Sequence, residues 1–397
     1  MSEIRRLTGR LQHLKTRPAE PEPLPEAGSP FVLPDLSARG AAPELGSLEA
    51  LRPWSMVETP YGKAHVFREQ LPLGAVFDEG DGLSLYRTRQ RVVAARDAEA
   101  PSLEALLGDS RLKGFDARDA LFLDIEATGL SHGAGTHAFL IGCAWFEGGE
   151  VVVEQVFMQD PTTEMAVLHH VMGLLESRPF LVSFNGKSYD LSVLESRLVV
   201  TRLLGRHEAS IKLRPHFDLL HVSRQAYKGI FPNTRLQTLE QTVLGLDPEA
   251  RVDDVPGSLV PALYFHYLRT GHAPHLDPIL RHNRTDVLSM VALAEHLVGL
   301  FLSPIGELPL VWNLARSALR RRLPAHAARL FAELLLRSDL TDLDRRELLD
   351  DLLTAARRAG NLELLATAAI GLIEVLPADT EASYVRRLFR WATHARK

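Results

Sequence analysis

Residues 121–130, LFLDIEATGL, constrain the chain more than any other stretch, because two carboxylates two residues apart sit inside an apolar run that ends in glycine. Alternate side chains of a strand share a face, so Asp124 and Glu126 point the same way. The flanking Leu121, Phe122, Leu123 and Ile125 mark a central strand. There a pair of like charges is strongly unfavourable unless a cation neutralises them. A set made only of oxygen donors suits Mg²⁺ or Mn²⁺. An isolated D-x-E is more often a strand end whose acids are solvated or paired with arginine, so the rest of the chain must supply the partners.

The chain is long enough for that. Its 397 residues, 46% of them hydrophobic, allow two or three domains with a sizeable core. A formal net charge of −5 gives no overall attraction to nucleic acid, so such binding would need a local basic patch. The single cysteine, Cys143, excludes an internal disulfide framework and a multi-cysteine zinc site. It lies in the apolar run AFLIGCAWF and reads as a small buried hydrophobe. The N-terminus has early basic residues without an apolar core or cleavage site, and no later run reads as a membrane span. The expectation is a soluble cytoplasmic protein with no membrane partner.

Along the chain, Ile4, Leu7, Leu11 and Leu14 predict a short amphipathic helix, suited to docking on a partner or on the body. It opens an N-terminal region, residues 1–53, whose remainder is a Pro-rich extended linker. Residues 54–101 alternate apolar and polar around Pro-Tyr-Gly and Asp-Gly turns and predict a small hairpin or flap. Residues 102–304 form the main domain. There the acidic strand is followed by AFLIGCAWF and EVVVEQVFM, two strands turning at Glu147, Gly148 and Gly149, which completes a three-stranded meander. A helix over 163–177, a strand FLVSF and further helices to residue 302 predict a mixed sheet with helices packed over it. Residues 305–397 read as about five amphipathic helices in a tetratricopeptide-like array, carrying the cationic run Arg320, Arg321, Arg322.

Three features follow the acidic strand in order. FNGKSYD places Asp190 at a strand exit and helix start, where ligand sites of open α/β sheets lie and where an acid also serves as a cap. LRHNRTDV places His282 and Asp286 four apart, on one helical face. RLQTLE begins a helix at Arg235, near His216, Asp218 and His221. Each is commonplace taken singly.

Taken as an ordered set, they resemble a family. DIEATGL at 124–130, NGKSYDLSVLESR at 185–197, FDLLH at 217–221, LQTLE at 236–240 and HNRTDV at 282–287 resemble the DEDD 3′–5′ exonucleases of the ribonuclease-H-like fold. The bacterial YprB-type ribonuclease-H-like family is the nearest match, and NGKSYD is also similar to the second exonuclease motif of family B DNA polymerases. Such exonucleases place Tyr four residues before the last acid or His five before it. Here His282 stands at the tyrosine spacing, and Arg281 is five before Asp286.

The resemblance implies an α/β ribonuclease-H-like domain over 102–304 and a metal-dependent 3′–5′ exonuclease acting on single-stranded DNA or RNA ends. It implies two Mg²⁺ or Mn²⁺ ions about 3.5–4 Å apart. Asp124 would bridge both ions, Glu126 and Asp286 would complete the water-activating site, Asp190 would hold the second ion, and His282 would orient or deprotonate the water. Backbone N–H groups around Thr128, Gly129 and Leu130 would meet the terminal nucleotide. Asn185, Lys187 and Tyr189 border the second acid, Lys187 suiting a phosphate and Tyr189 either base stacking or core packing. Arg235 suits a phosphate or solvent. Rival expectations are a structure-specific endonuclease with the same metals, and a nucleic-acid-binding or scaffold protein whose C-terminal helices are the working surface for a protein partner.

Overall fold

The computed structural model describes residues 47–73, 101–129, 135–205, 210–247, 251, 254–377 and 379–394. The helix expected over the first fifteen residues, the linker as far as residue 46, the alternating stretch at 83–93 and Leu130 lie outside them. At the linker's end, a helical turn α1 (Leu48–Leu51) buries Leu48 rather than extending.

Seven strands form one mixed sheet: β1 (Ser55–Thr59), β2 (Gly62–Pro72), β3 (Ala120–Ala127), β4 (Ala138–Glu147), β5 (Glu150–Phe157), β6 (Phe180–Ser183) and β7 (His216–Asp218). Their order is β1-β2-β5-β4-β3-β6-β7. β3, β4 and β5 are the expected antiparallel meander, closed by Gly148 and Gly149, whose positive φ angles of 59° and 88° suit a two-residue hairpin turn. β6 lies parallel to β3, and β7 parallel to β6. The β1–β2 hairpin continues the sheet, since β2 pairs with β5 from His65↔Phe157 to Pro72↔Glu150.

Period-two alternation divides β3 between two cores. Leu121, Leu123 and Ile125 pack with helices α2 (Glu164–Glu176), α3 (Asp190–Val200) and α4 (Val260–Thr270). Ala120 and Phe122, and hence Asp124 and Glu126, take the other face, covered by α5 (Asp277–Leu302) and by the helix Leu219–Ala226 after β7. α5 corrects one expectation: by length and composition it is apolar enough to cross a membrane, but most of that stretch is buried inside the protein. It is apolar because both the sheet and its neighbouring helices cover it. Ion pairs from Arg52 to Asp277 and from Arg284 to Glu69 tie its N-terminal half to α1 and β2.

Beyond α5, five described helices, Leu308–Arg320, Pro324–Leu335, Asp342–Ala359, Leu362–Val375 and Ala382–His394, share their own core around Phe331, Leu348, Leu352 and Leu372. The first of them docks on the helix after β7. Asn313 donates to the Ala226 and Lys228 carbonyls, both at 2.9 Å, and Ser317 donates to Gln225 at 2.8 Å.

Candidate active site

The site lies where the C-terminal half of β3 meets the N-terminal half of α5. Asp124 is fully paired within β3 opposite Gly142 of β4, and the register shifts between Glu126 and Ala127, which re-aims the chain past the second acid. Asn283, buried on α5, donates from Nδ2 to Asp124 Oδ2 at 2.9 Å and to the Asp124 carbonyl at 3.3 Å. Its Oδ1 accepts from buried Gln155 at 2.9 Å. Gly142 makes room for this amide, because a Cβ there would fall 2.3 Å from Asn283 Oδ1. Asp124 is thereby oriented by a neutral group that leaves its charge uncompensated.

Asp190 enters from the end of β6. It does not cap its helix as expected: Tyr189 holds the N-cap position without a side-chain bond, and Asp190 is the first helical residue, buried beside the backbone N–H of Ile125 on β3. The loop before it is fixed from below. Asp218 accepts from the backbone N–H of Asn185 at 2.9 Å and of Lys187 at 3.0 Å, and Ser183 accepts from Gly186 at 3.1 Å. Asn185 takes a positive φ of 69° to make this turn, a conformation that Asn tolerates better than most residues.

Asp286 is held differently. Arg251 donates to it and to Glu240 through one terminal nitrogen, and to Asp254 at 3.0 Å through the other. Its side chain is only 8% exposed. His282 Nδ1 lies 3.0 Å from Asp254 Oδ1, and its Nε2 lies 3.6 Å from Asp286 Oδ2. Glu240 comes from a single π turn, Glu240–Leu244, which follows the helical turn Leu236–Leu239, so the predicted helix over 236–244 is regular for half its length only.

The four acids form one electrostatic unit. Burial, then repulsion from Asp286, Asp190 and Glu126, raises Asp124 well above the usual carboxylate range, although the Asn283 hydrogen bond opposes this. Burial pushes Glu126 up to about 7, with His282 opposing and Asp286 and Asp190 adding. Burial likewise pushes Asp190 up to about 7, against stabilising backbone hydrogen bonds. On His282 burial acts to lower the pKa, but Asp286, Glu126 and Asp254 outweigh it and leave the ring raised. Among the described residues, no three His, Cys, Asp or Glu side chains already enclose a point where a metal ion would sit.

The other anticipated residues divide. Thr128 closes the loop after β3: its N–H donates to the His137 carbonyl, its hydroxyl accepts from the His137 N–H, and both distances are 2.9 Å. Tyr189 is half-buried and donates its hydroxyl to the Gly129 carbonyl, linking that loop to the start of α3, while its ring packs against the core. Lys187 Nζ lies 3.7 Å from Asp109. Arg235 stands exposed at the start of its helix, and its side chain forms no ion pair among the described residues. Asn283, Gln155, Arg251 and Asp254 were not anticipated. Glycine in the middle of AFLIGCAWF was the visible trace of Asn283.

Residues 121–298 match a family model described as RNase_H superfamily, so this part of the chain is a ribonuclease-H-like domain with a nuclease-type fold. Over 193 residues the chain is 35% identical to the uncharacterized protein YprB of Bacillus subtilis (strain 168), a match covering 48% of this chain and 45% of that protein. The chain thus carries a YprB-type ribonuclease-H-like domain and spans about half the length of that curated relative. The family B DNA polymerase of the hyperthermophilic archaeon Pyrobaculum calidifontis is a structural neighbour at a TM-score of 0.39 and 13% identity, covering 70% of this chain and 50% of that one.

Proposed function

We propose that the chain is a metal-dependent nuclease hydrolysing phosphodiester bonds, a 3′–5′ exonuclease acting on single-stranded DNA or RNA ends. One observation carries the reading: β3, α3 and α5 bring Asp124, Glu126, Asp190 and Asp286 close enough that burial and repulsion within the set raise the proton affinity of Asp124, Glu126 and Asp190. Buried carboxylates that repel one another, with oxygen as the donor throughout, fit hard divalent cations such as Mg²⁺ or Mn²⁺. These four residues would hold two such ions, which when bound supply a nucleophilic hydroxide near neutral pH and charge stabilisation at the attacking and leaving oxygens.

The protein's own groups do the rest. Asn283 keeps Asp124 from rotating, and Asp218 holds the loop that presents Lys187 beside Asp190. His282 Nε2 is the atom that takes the proton of the attacking water. Neutralising the charges of Asp286 and Glu126 removes two of the causes that raise His282 and so shifts the ring toward the neutral form, the one that accepts a proton. The Thr128 N–H is taken by the His137 carbonyl, so of the loop fixed by His137 and Tyr189 it is the backbone at Gly129 that would meet the terminal nucleotide.

The test is a panel of end-labelled single- and double-stranded DNA and RNA, incubated with Mg²⁺, Mn²⁺ or chelator. A 5′-labelled strand shortened as a ladder only with metal supports the exonuclease reading. Discrete internal cuts would replace it by the endonuclease reading. No cleavage of any polynucleotide, despite Mn²⁺ binding, would leave a nucleic-acid-binding or scaffold role.

A further inference from the structure

The nuclease reading leaves unanswered how a chain of net charge −5 attracts a polyanion. A belt of cations leading away from the four acids answers it. It starts at Lys187, three residues before Asp190, whose ammonium group shares Asp109 with Arg111. Two cations on one carboxylate leave a positive excess. Next to Asp109, Gly108 lies directly beneath Arg321: a Cβ on Gly108 would fall 2.6 Å from Arg321 Nη1. Arg321 therefore crosses from the helical C-terminal region onto the domain that carries the acids, with exposed Arg320 and Arg322 on either side.

The same belt is reached by a second route. Asp218, which holds the Lys187 backbone, also accepts from the Leu220 N–H at the start of the helix Leu219–Ala226. That helix exposes His221 and Arg224 on one face. Gln225 accepts from Ser317, about one turn before Arg320 and Arg321. Among the described residues, Arg224, Arg320, Arg321 and Arg322 form no ion pair with a carboxylate, so their charge is available to a ligand. Some other surface arginines are paired internally, as with Arg337 on Asp339 and Arg316 on Asp351, and so is Arg111 of the belt, on Asp109.

We infer that this belt is the track along which a single-stranded nucleic acid reaches the four acids, its phosphates on Lys187, Arg111, Arg224 and the Arg320–322 run. The inference rests on the nuclease reading for the direction of the strand, and it assigns the C-terminal helices a share in substrate binding. Arginine suits the role because its planar fork pairs with phosphate oxygens whatever the base. A strand would be held at several phosphates at once, so long substrates gain and very short ones do not.

The test compares the wild type with the triple variant Arg224→Gln, Arg320→Gln, Arg321→Gln, none of which belongs to the acid site. Its thermal midpoint should stay within a few degrees, since these groups are exposed and form no ion pair among the described residues. Binding of a fluorescent single strand of about 20 nucleotides, in chelator, is measured from about 50 to 200 mM salt. Loss of three phosphate contacts should lower the slope of log affinity against log salt by about 2 and weaken binding at least about tenfold at the lower salt. With metal, kcat/KM for the long strand should fall about as far, while that for a dinucleotide stays unchanged. Equal affinity and equal slope for the two proteins would overturn the track. A wild type that cleaves neither substrate would instead overturn the nuclease reading, with the binding arm still deciding the track.

Discussion

Asp124 and Asp286 belong to the same cluster of acids yet are restrained by opposite chemistry. Asp124 is oriented by the neutral amide of Asn283, itself locked by Gln155 and seated in the space over Gly142. Asp286 is oriented by the guanidinium of Arg251, which also serves Glu240 and Asp254. An amide fixes direction and leaves the charge to be balanced by something else. A guanidinium fixes direction and balances the charge at the same time. On the proposed reading the β3 side is preorganised for a metal ion, whereas the α5 side would exchange one cation for another.

The strongest way to break this contrast is to remove the acids themselves. Asp124→Ala and Asp286→Ala should each reduce metal-dependent hydrolysis of a labelled strand to the level seen with chelator. They should differ in stability. Loss of Asp124 relieves repulsion among buried acids but leaves the buried Asn283 amide without its side-chain acceptor, so the stability of the chelated protein should change little. Loss of Asp286 removes one of the three carboxylates around Arg251 and should lower the urea midpoint. Full hydrolysis by either variant would refute the metal-site assignment.

Next comes Asn283→Ala, which leaves every acid in place and removes only the orienting amide. Losing a group that positions a ligand typically weakens metal affinity by about 10- to 100-fold, and calorimetric titration with Mn²⁺ should show this. Gln155 and Asp124 lose a buried partner, at a cost of about 1–3 kcal/mol in urea unfolding. Unchanged Mn²⁺ affinity would mean that the amide is a packing feature alone.

How much of this was legible in the sequence depends on the range of the interaction. The meander, the D-x-E strand and the helix carrying His282 and Asp286 follow from period two and period 3.6, which are local. Arg251 meets Asp286 across 35 residues of chain and Asn283 meets Asp124 across 159, and neither pairing leaves a periodic trace. Gly142 was the single local sign, since glycine in a buried strand marks a close approach. Asp190 was anticipated as a cap because acids favour that position, but burial beside β3 placed it one residue inside the helix. α5 resembles a membrane span for the same reason that makes it useful: an element covered on all sides must be apolar on all sides.

The proton dependence separates the two sides more finely. Glu126 and Asp190 titrate at about 7 in the folded chain against ordinary values of 4.5 and 3.8. Between those limits the folded state holds protons that the unfolded chain has released, so metal-free stability falls as pH rises through the window. Metal binding needs the ionised forms, so Mn²⁺ affinity rises over the same interval. The thermal midpoint in chelator should therefore be higher at pH 5.5 than at pH 8, and the increment produced by Mn²⁺ should be larger at pH 8. An increment independent of pH would show that these acids do not face the ion.

The smallest and most discriminating change is Arg251→Lys. Lysine keeps the charge but presents a single compact ammonium, which cannot bond Asp286, Glu240 and Asp254 together as the fork does. Chelated stability should fall by about 1.5 kcal/mol, the low end of the scale for a hydrogen bond to a charged group. If Arg251 competes with metal for Asp286, Mn²⁺ affinity should rise a few-fold, opposite in sign to the loss in Asn283→Ala. Should affinity fall in both variants, Arg251 would be holding Asp286 in position for the metal. The two acids would then be restrained for one purpose by two different groups, and the sign of that single binding change is what tells a competing cation from a supporting one.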